Sequence, residues 1–243
     1  MAAQALLRIA NIHKRRNKLD ATLDTYESLI ARYPQSPLRA DAVFGIAESL
    51  ASVGRCAEAK ERLGKFIRRY PGHNYIPVAL FEAGRCAAKL GDGATAVIYL
   101  KKVVEDSRIR GSGLQTTSAL LLAALLSKQG KLDDAAKALK FALLSDDPKV
   151  AAEAQYSRAV LLSRRGDRMA ASEFLKLTYR YPKQTIWITR ALARAGELYE
   201  RAGRHTTALR IFQKMRLVAP KGAMRKVAED AVARLMKKTG SRR

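Results

Sequence analysis

Small and apolar residues recur along this chain at one spacing, shown most fully by the stretch 42–71, AVFGIAESLASVGRCAEAKERLGKFIRRYP. Ala47 stands seven residues before Gly54, Ala59 five after it, Leu63 nine after it and Pro71 seventeen after it. That spacing predicts two helices folded on each other. A glycine at the turn supplies the positive φ that ends the first helix. The two alanines let the helix backbones approach closely where they cross, and the proline closes the pair.

The pattern returns to the end of the chain. The first repeat spans about 5–34, with Ala10 as the small residue, Asn17 at the turn, and Thr22, Tyr26 and Leu29 facing inward from the second helix. Asparagine is the next best left-handed residue after glycine. The second repeat is 42–71. The third, 79–108, carries Gly84, Gly91, Ala96 and Leu100, with Arg108 in the place of the closing proline. The fourth (117–148), fifth (151–182) and sixth (190–220) turn at Gly130, Gly166 and Gly203 and close at Pro148, Pro182 and Pro220. In 221–243, Met224, Val227, Ala231 and Leu235 fall at helical spacing before a basic tail, which suits a terminal helix with a polar outer face. The expected fold is all-α, a right-handed α-solenoid of six helical hairpins plus a C-terminal capping helix.

Charge alters the picture of the partner more than that of the fold. Lys and Arg number 46 against 22 Asp and Glu, a formal net charge of +24 over 243 residues. Residues 151–243 hold 22 of the basic side chains and only 7 of the acidic ones. An acidic or anionic partner is one reading and solvated helix faces in a basic protein the other, because charge alone specifies no ligand. No run of about 18 apolar residues is present to span a membrane. The start, MAAQALLRIANIHKRRNK, lacks the order of a secretion signal, because its basic cluster follows its apolar residues. The compartment stays open, periplasmic if a leader was trimmed and cytoplasmic otherwise.

Two helices per repeat, a small residue seven before a turn glycine, an alanine five after it and a nearby proline together resemble the tetratricopeptide repeat. The likeness covers about 5–220. The repeats here exceed the usual 34 residues, and Leu or Val mostly replaces the aromatic near the start of the pattern. The lengthened form, with ARYPQSPLRADA and RRYPGHNYIPVALF between repeats, looks like bacterial cell-envelope tetratricopeptide proteins. These include the Tol-Pal-associated periplasmic coordinator and the lipoprotein subunit of the outer-membrane β-barrel assembly machine. The resemblance implies a non-enzymatic adaptor for a protein or peptide partner.

In such a solenoid the first helices line the concave surface, so groove positions follow from register. Three residues before the small position lie Leu7, Phe44, Phe81, Leu120, Tyr156 and Ala193. One residue after it, Asn11, Glu48 and Arg85 stand in the first three repeats. Five after it come Arg15, Ser52, Lys89, Lys128, Arg164 and Arg201, basic in five repeats of six. Phe44, Phe81, Tyr156, Arg85, Lys89, Lys128, Arg164 and Arg201 are therefore the expected peptide-binding residues, fitting an extended acidic segment. Competing explanations are that cations at a helix end complement its dipole and that Phe44, Phe81 and Tyr156 pack as core between repeats. Some relatives hold a C-terminal carboxylate with a Lys and Asn pair, but Leu7 with Asn11 and Phe44 with Glu48 occupy those places here.

No spacing for metal, nucleotide phosphate or nucleophilic chemistry occurs, so neither a cofactor nor an enzyme is expected. Cys56 opens one second helix and Cys86 lies near the end of the next first helix, which makes them a candidate disulfide pair. The alternative is two small buried thiols in a reducing compartment. A basic nucleic-acid-binding or anionic-surface-binding helical repeat is the second functional reading.

Overall fold

The computed structural model describes residues 1–240 and is built from helices. The first hairpin is α1 (Ala2–Arg15) with α2 (Leu19–Arg32), the second α3 (Arg39–Ser52) with α4 (Cys56–Arg69), the third α5 (Ile76–Lys89) with α6 (Gly93–Val104). After a 3-10 turn, Ser107–Ile109, come α7 (Gly113–Lys128) and α8 (Leu132–Ala142). The fifth hairpin opens with α9 (Pro148–Arg164), and its second half is interrupted at Lys176 into α10 (Ala170–Leu175) and α11 (Leu177–Arg180). Then follow α12 (Thr185–Arg201), α13 (His205–Val218) and α14 (Ala223–Thr239). This is the all-α array of consecutive helical pairs that the spacing predicts.

Local chemistry explains the boundaries. Asn17 holds φ at 55°, and Gly54, Gly91, Gly130, Gly166 and Gly203 hold it between 71° and 85°, so every hairpin turns through a left-handed residue. The helices α2, α4 and α11 end on Tyr33, Tyr70 and Tyr181, each with φ near −130° and ψ near 60°. A proline follows each tyrosine, and its ring excludes the helical conformation from the residue before it. Where Arg108 replaces the proline, a carboxylate takes over: Asp106 accepts from the Arg108 backbone N–H at 3.0 Å and starts the 3-10 turn.

The small positions work through contact. Gly196 in α12 lies under Phe212 of α13, where a Cβ would stand 2.6 Å from the ring. Ala10, Ala47, Ala59 and Ala159 are fully buried, so backbones meet where larger side chains would hold them apart.

The chain divides into two compact bodies, Met1–Leu125 and Leu126 onward, with the division inside α7. In the first body each helix from α1 to α6 packs on the next, and the first helices also touch along the row α1, α3, α5. Tyr26, Leu29, Leu63 and Phe66 form the centre of its core. Full burial of such a side chain contributes about 1.5–3 kcal/mol. In the second body α9 packs on α10 and α12, α12 on α13, and α13 on α14. Phe174, Leu177, Leu192, Phe212 and Met215 fill that core.

The terminal helix departs from its predicted register at one position. Val227 is 48% exposed, and α14 instead buries Ala228, Ala231, Val232 and Leu235 against the second core. Met224 packs on the same core, so of the expected positions only Val227 leaves the stripe, and Ala228 and Val232 complete it.

Candidate functional site

In the first body the first helices build a cavity of about 240 Å³. From α1 come Leu7, Asn11 and Lys14; from α3, Asp41, Phe44, Gly45 and Glu48. Val78 of α5 and Tyr75, which caps that helix, close one side, and Tyr26 of α2 forms the floor. The walls mix aromatic and apolar side chains with charged and polar ones. Phe44 stacks on Tyr75 with ring centroids 4.7 Å apart and packs on Phe66 at 5.5 Å.

The polar groups are acceptors more than donors. The Tyr26 hydroxyl donates to Asn11 Oδ1 at 2.8 Å. Burial, and then the charge of Glu48, pushes that phenol up to about 12. The Lys14 ammonium pairs with the Glu48 carboxylate. Asp41 has only the His73 Nε2 nearby, 3.5 Å from its Oδ1, beyond good hydrogen-bonding reach although the carboxylate is 24% exposed.

The residues expected from register fall into two groups. Phe44 is a core residue, 5% exposed, whose ring forms part of the cavity wall. Phe81 is half-buried against the first core. Arg85 donates to Glu82 and, at 3.3 Å, to the carbonyl of Ala51 in the last turn of α3. Lys89 is exposed at the end of α5 and, among the described residues, has no carboxylate partner.

In the second body Tyr156 packs on Phe174 and Trp187, each with centroids 5.4 Å apart. Arg164 donates to both the carbonyl and the hydroxyl of Ser127 at 2.8 Å, capping the last turn of α7. Lys128 and Arg201 are exposed at the ends of their helices. Two of the expected groove cations thus serve a neighbouring helix end, where free carbonyls and the dipole favour them.

Cys56 and Cys86 are free and buried. Burial, followed by the nearby Cys56 thiol, pushes the Cys86 thiol up to about 12. Among the described residues no three His, Cys, Asp or Glu side chains gather as a metal site would require. No described helix is long and apolar enough to cross a membrane.

Register reasoning missed Asp41, Val78 and Arg190, which stand six residues before their small positions. One more helical turn toward the N-terminus would have found that row. Arg190 of α12 lies over the Trp187 ring at 4.9 Å, and Arg194 on the same helix pairs with Glu197 at 3.0 Å. Tyr75 carries no register signal because it lies in a loop.

A family model described as a tetratricopeptide repeat-like domain matches residues 34–173, and a tetratricopeptide repeat model matches 4–36. No curated protein matches the sequence significantly. Among solved structures, a tetratricopeptide repeat protein from Parabacteroides merdae superposes with a TM-score of 0.68 at 14% identity, covering 98% of this chain and 92% of its own. YrrB, described as a TPR protein with an unusual peptide-binding site, gives 0.60 at 21% identity over 75% of this chain and 88% of its own. MamA gives 0.62 at 15% identity over 75% and 93%. At these identities the likeness is one of fold.

Proposed function

The chain belongs to the tetratricopeptide repeat-like family, and from that premise we propose that it is a non-enzymatic protein-interaction adaptor. A partner segment lies along the first-helix face of a body, held by apolar contacts and fixed in register by charged side chains. The observation that carries this reading is the cavity formed jointly by α1, α3 and α5, since a groove across successive first helices is what an extended segment requires. The peptide-binding site described for YrrB supports it by analogy of fold. Phe81 and Lys89 contribute in the first body, with Phe44 as wall and Arg85 as a brace. Tyr156, Lys128 and Arg201 contribute in the second, where Arg164 supports the neighbouring helix end.

Selection of a random peptide library on the immobilised full chain tests the adaptor role. Saturable peptides that cross-link to first-helix residues are expected, and their affinity should fall with Lys89→Glu or Lys128→Glu. Peptides that cross-link only to second helices, or no selection above background, would overturn it. Repeating a lysate pull-down after nuclease treatment separates the second reading, a nucleic-acid binder using the cation excess of 151–243, because that reading requires all capture to vanish.

The proposal extends to bacterial cell-envelope assembly, supported by the likeness of the lengthened Tyr-Pro boundaries to that group. Fractionation of the native cell should then recover the protein with periplasm or membranes. Recovery in the cytosol would remove this part of the proposal and leave the adaptor role standing.

A further inference from the structure

We propose that the cavity between α1, α3 and α5 is a subsite for a cationic side chain, a lysine or arginine of the partner segment. The inference rests on the adaptor reading and departs from the acidic partner that the overall charge suggests.

Three features of the cavity point to a cation. First, Asp41 is a half-buried carboxylate that accepts no hydrogen bond from any described residue, with His73 Nε2 at 3.5 Å its only basic neighbour within 4 Å. An incoming ammonium or guanidinium would give it charge-assisted hydrogen bonds, which are stronger than neutral ones. Second, Tyr75, stacked on Phe44 but 41% exposed, lines the same cavity, and an aromatic face attracts cations through its quadrupole. Third, the chain already places an ammonium at the other end: Lys14 pairs with Glu48, which shows that this wall accommodates a positive group. The negative field reaches the floor, where Glu48 and Asp41 both add to the burial that raises the Tyr26 phenol.

The rest of the cavity suits a long stem and excludes an anion. Leu7 and Val78 give apolar surface for methylenes, and a cavity of about 240 Å³ admits one extended side chain. Lys14 is the only cation among its lining residues, and it is already paired. An acidic side chain entering here would meet the carboxylates of Asp41 and Glu48.

The test uses the same peptide library with two variants of the full chain. On the wild type, selected peptides that cross-link to Tyr75 should be enriched in Lys or Arg at one position. The Asp41→Asn variant, nearly isosteric, should still select peptides on the first-helix face while the basic enrichment disappears. Affinity of a wild-type-selected basic peptide should fall at least tenfold. Lys14→Met, which frees Glu48 to receive the incoming cation, should raise affinity for the same peptide severalfold, an effect that a merely structural role for Lys14 would not produce. Peptides that bind this face with no basic preference, or a basic preference that survives Asp41→Asn in a variant of unchanged melting temperature, would overturn the subsite and leave the adaptor role intact. Absence of any binding at this face would overturn both.

Discussion

Gly45 lies against the ring of Tyr26 so closely that a Cβ placed on it would stand 2.4 Å from the ring carbon that bears the hydroxyl. The contact fixes the floor of the cavity, because it lets the phenol pass beneath α3 and reach Asn11. Gly45→Ala should push the ring aside and cost about 1–3 kcal/mol, as overpacking does. Denaturant melts of Gly45→Ala and of Gly45→Ala with Tyr26→Leu check this. The second change should recover part of the loss if the clash is the cause.

Glu173 is a structural carboxylate in the second body. Burial would raise its pKa, but hydrogen bonds from Lys176, Arg158 and Gln155 hold it at about 2, below the usual 4.5. A depressed folded pKa gives stability that is complete above the unfolded value and is lost as the pH falls toward 2. Glu173→Gln should cost roughly 1–3 kcal/mol at neutral pH. The gap between the two denaturation midpoints should close between pH 4.5 and 2, and a gap constant across that range would refute the assignment.

The buried pair Cys56 and Cys86 should resist a thiol reagent in the native protein and titrate as two thiols after denaturation, since the protonated, enclosed Cys86 is a poor nucleophile. Fewer than two thiols on denaturation without reductant would mean that they had joined as a disulfide.

Arg164 and Lys128 look alike in the sequence, five residues after a small position, yet they sit in different surroundings. Arg164→Ala removes the bonds to Ser127 and should cost roughly 0.5–1 kcal/mol of stability. Lys128→Ala should leave the melting temperature unchanged and weaken peptide binding instead. Paired thermal and binding measurements distinguish the two roles, and equal thermal losses would contradict them.

Much of the fold was legible because its determinants are local. Asn17 and the turn glycines need only their own φ, and the Tyr-Pro boundaries need only the following ring. The interruption at Lys176 in the fifth hairpin was not legible, since no proline or glycine marks it. The cavity was half legible. Phe44, Asn11 and Glu48 fall in repeat register, whereas Tyr75 is a loop residue and Lys14 meets Glu48 across 34 positions. A one-dimensional register shows which face a side chain takes but not which charge has already found a partner. For that reason Arg85 and Arg164 share the register of groove cations although their hydrogen bonds go to the carbonyls of Ala51 and Ser127.

Those two bonds have a consequence for how the repeats come apart. Arg85 reaches back 34 residues and Arg164 reaches back 37 to a carbonyl at the end of the preceding first helix. If the later hairpin opens, the earlier one loses the cap on its final turn as well. Opening either repeat also removes the bond from the other, so within each body these two bonds couple neighbouring repeats equally in both directions.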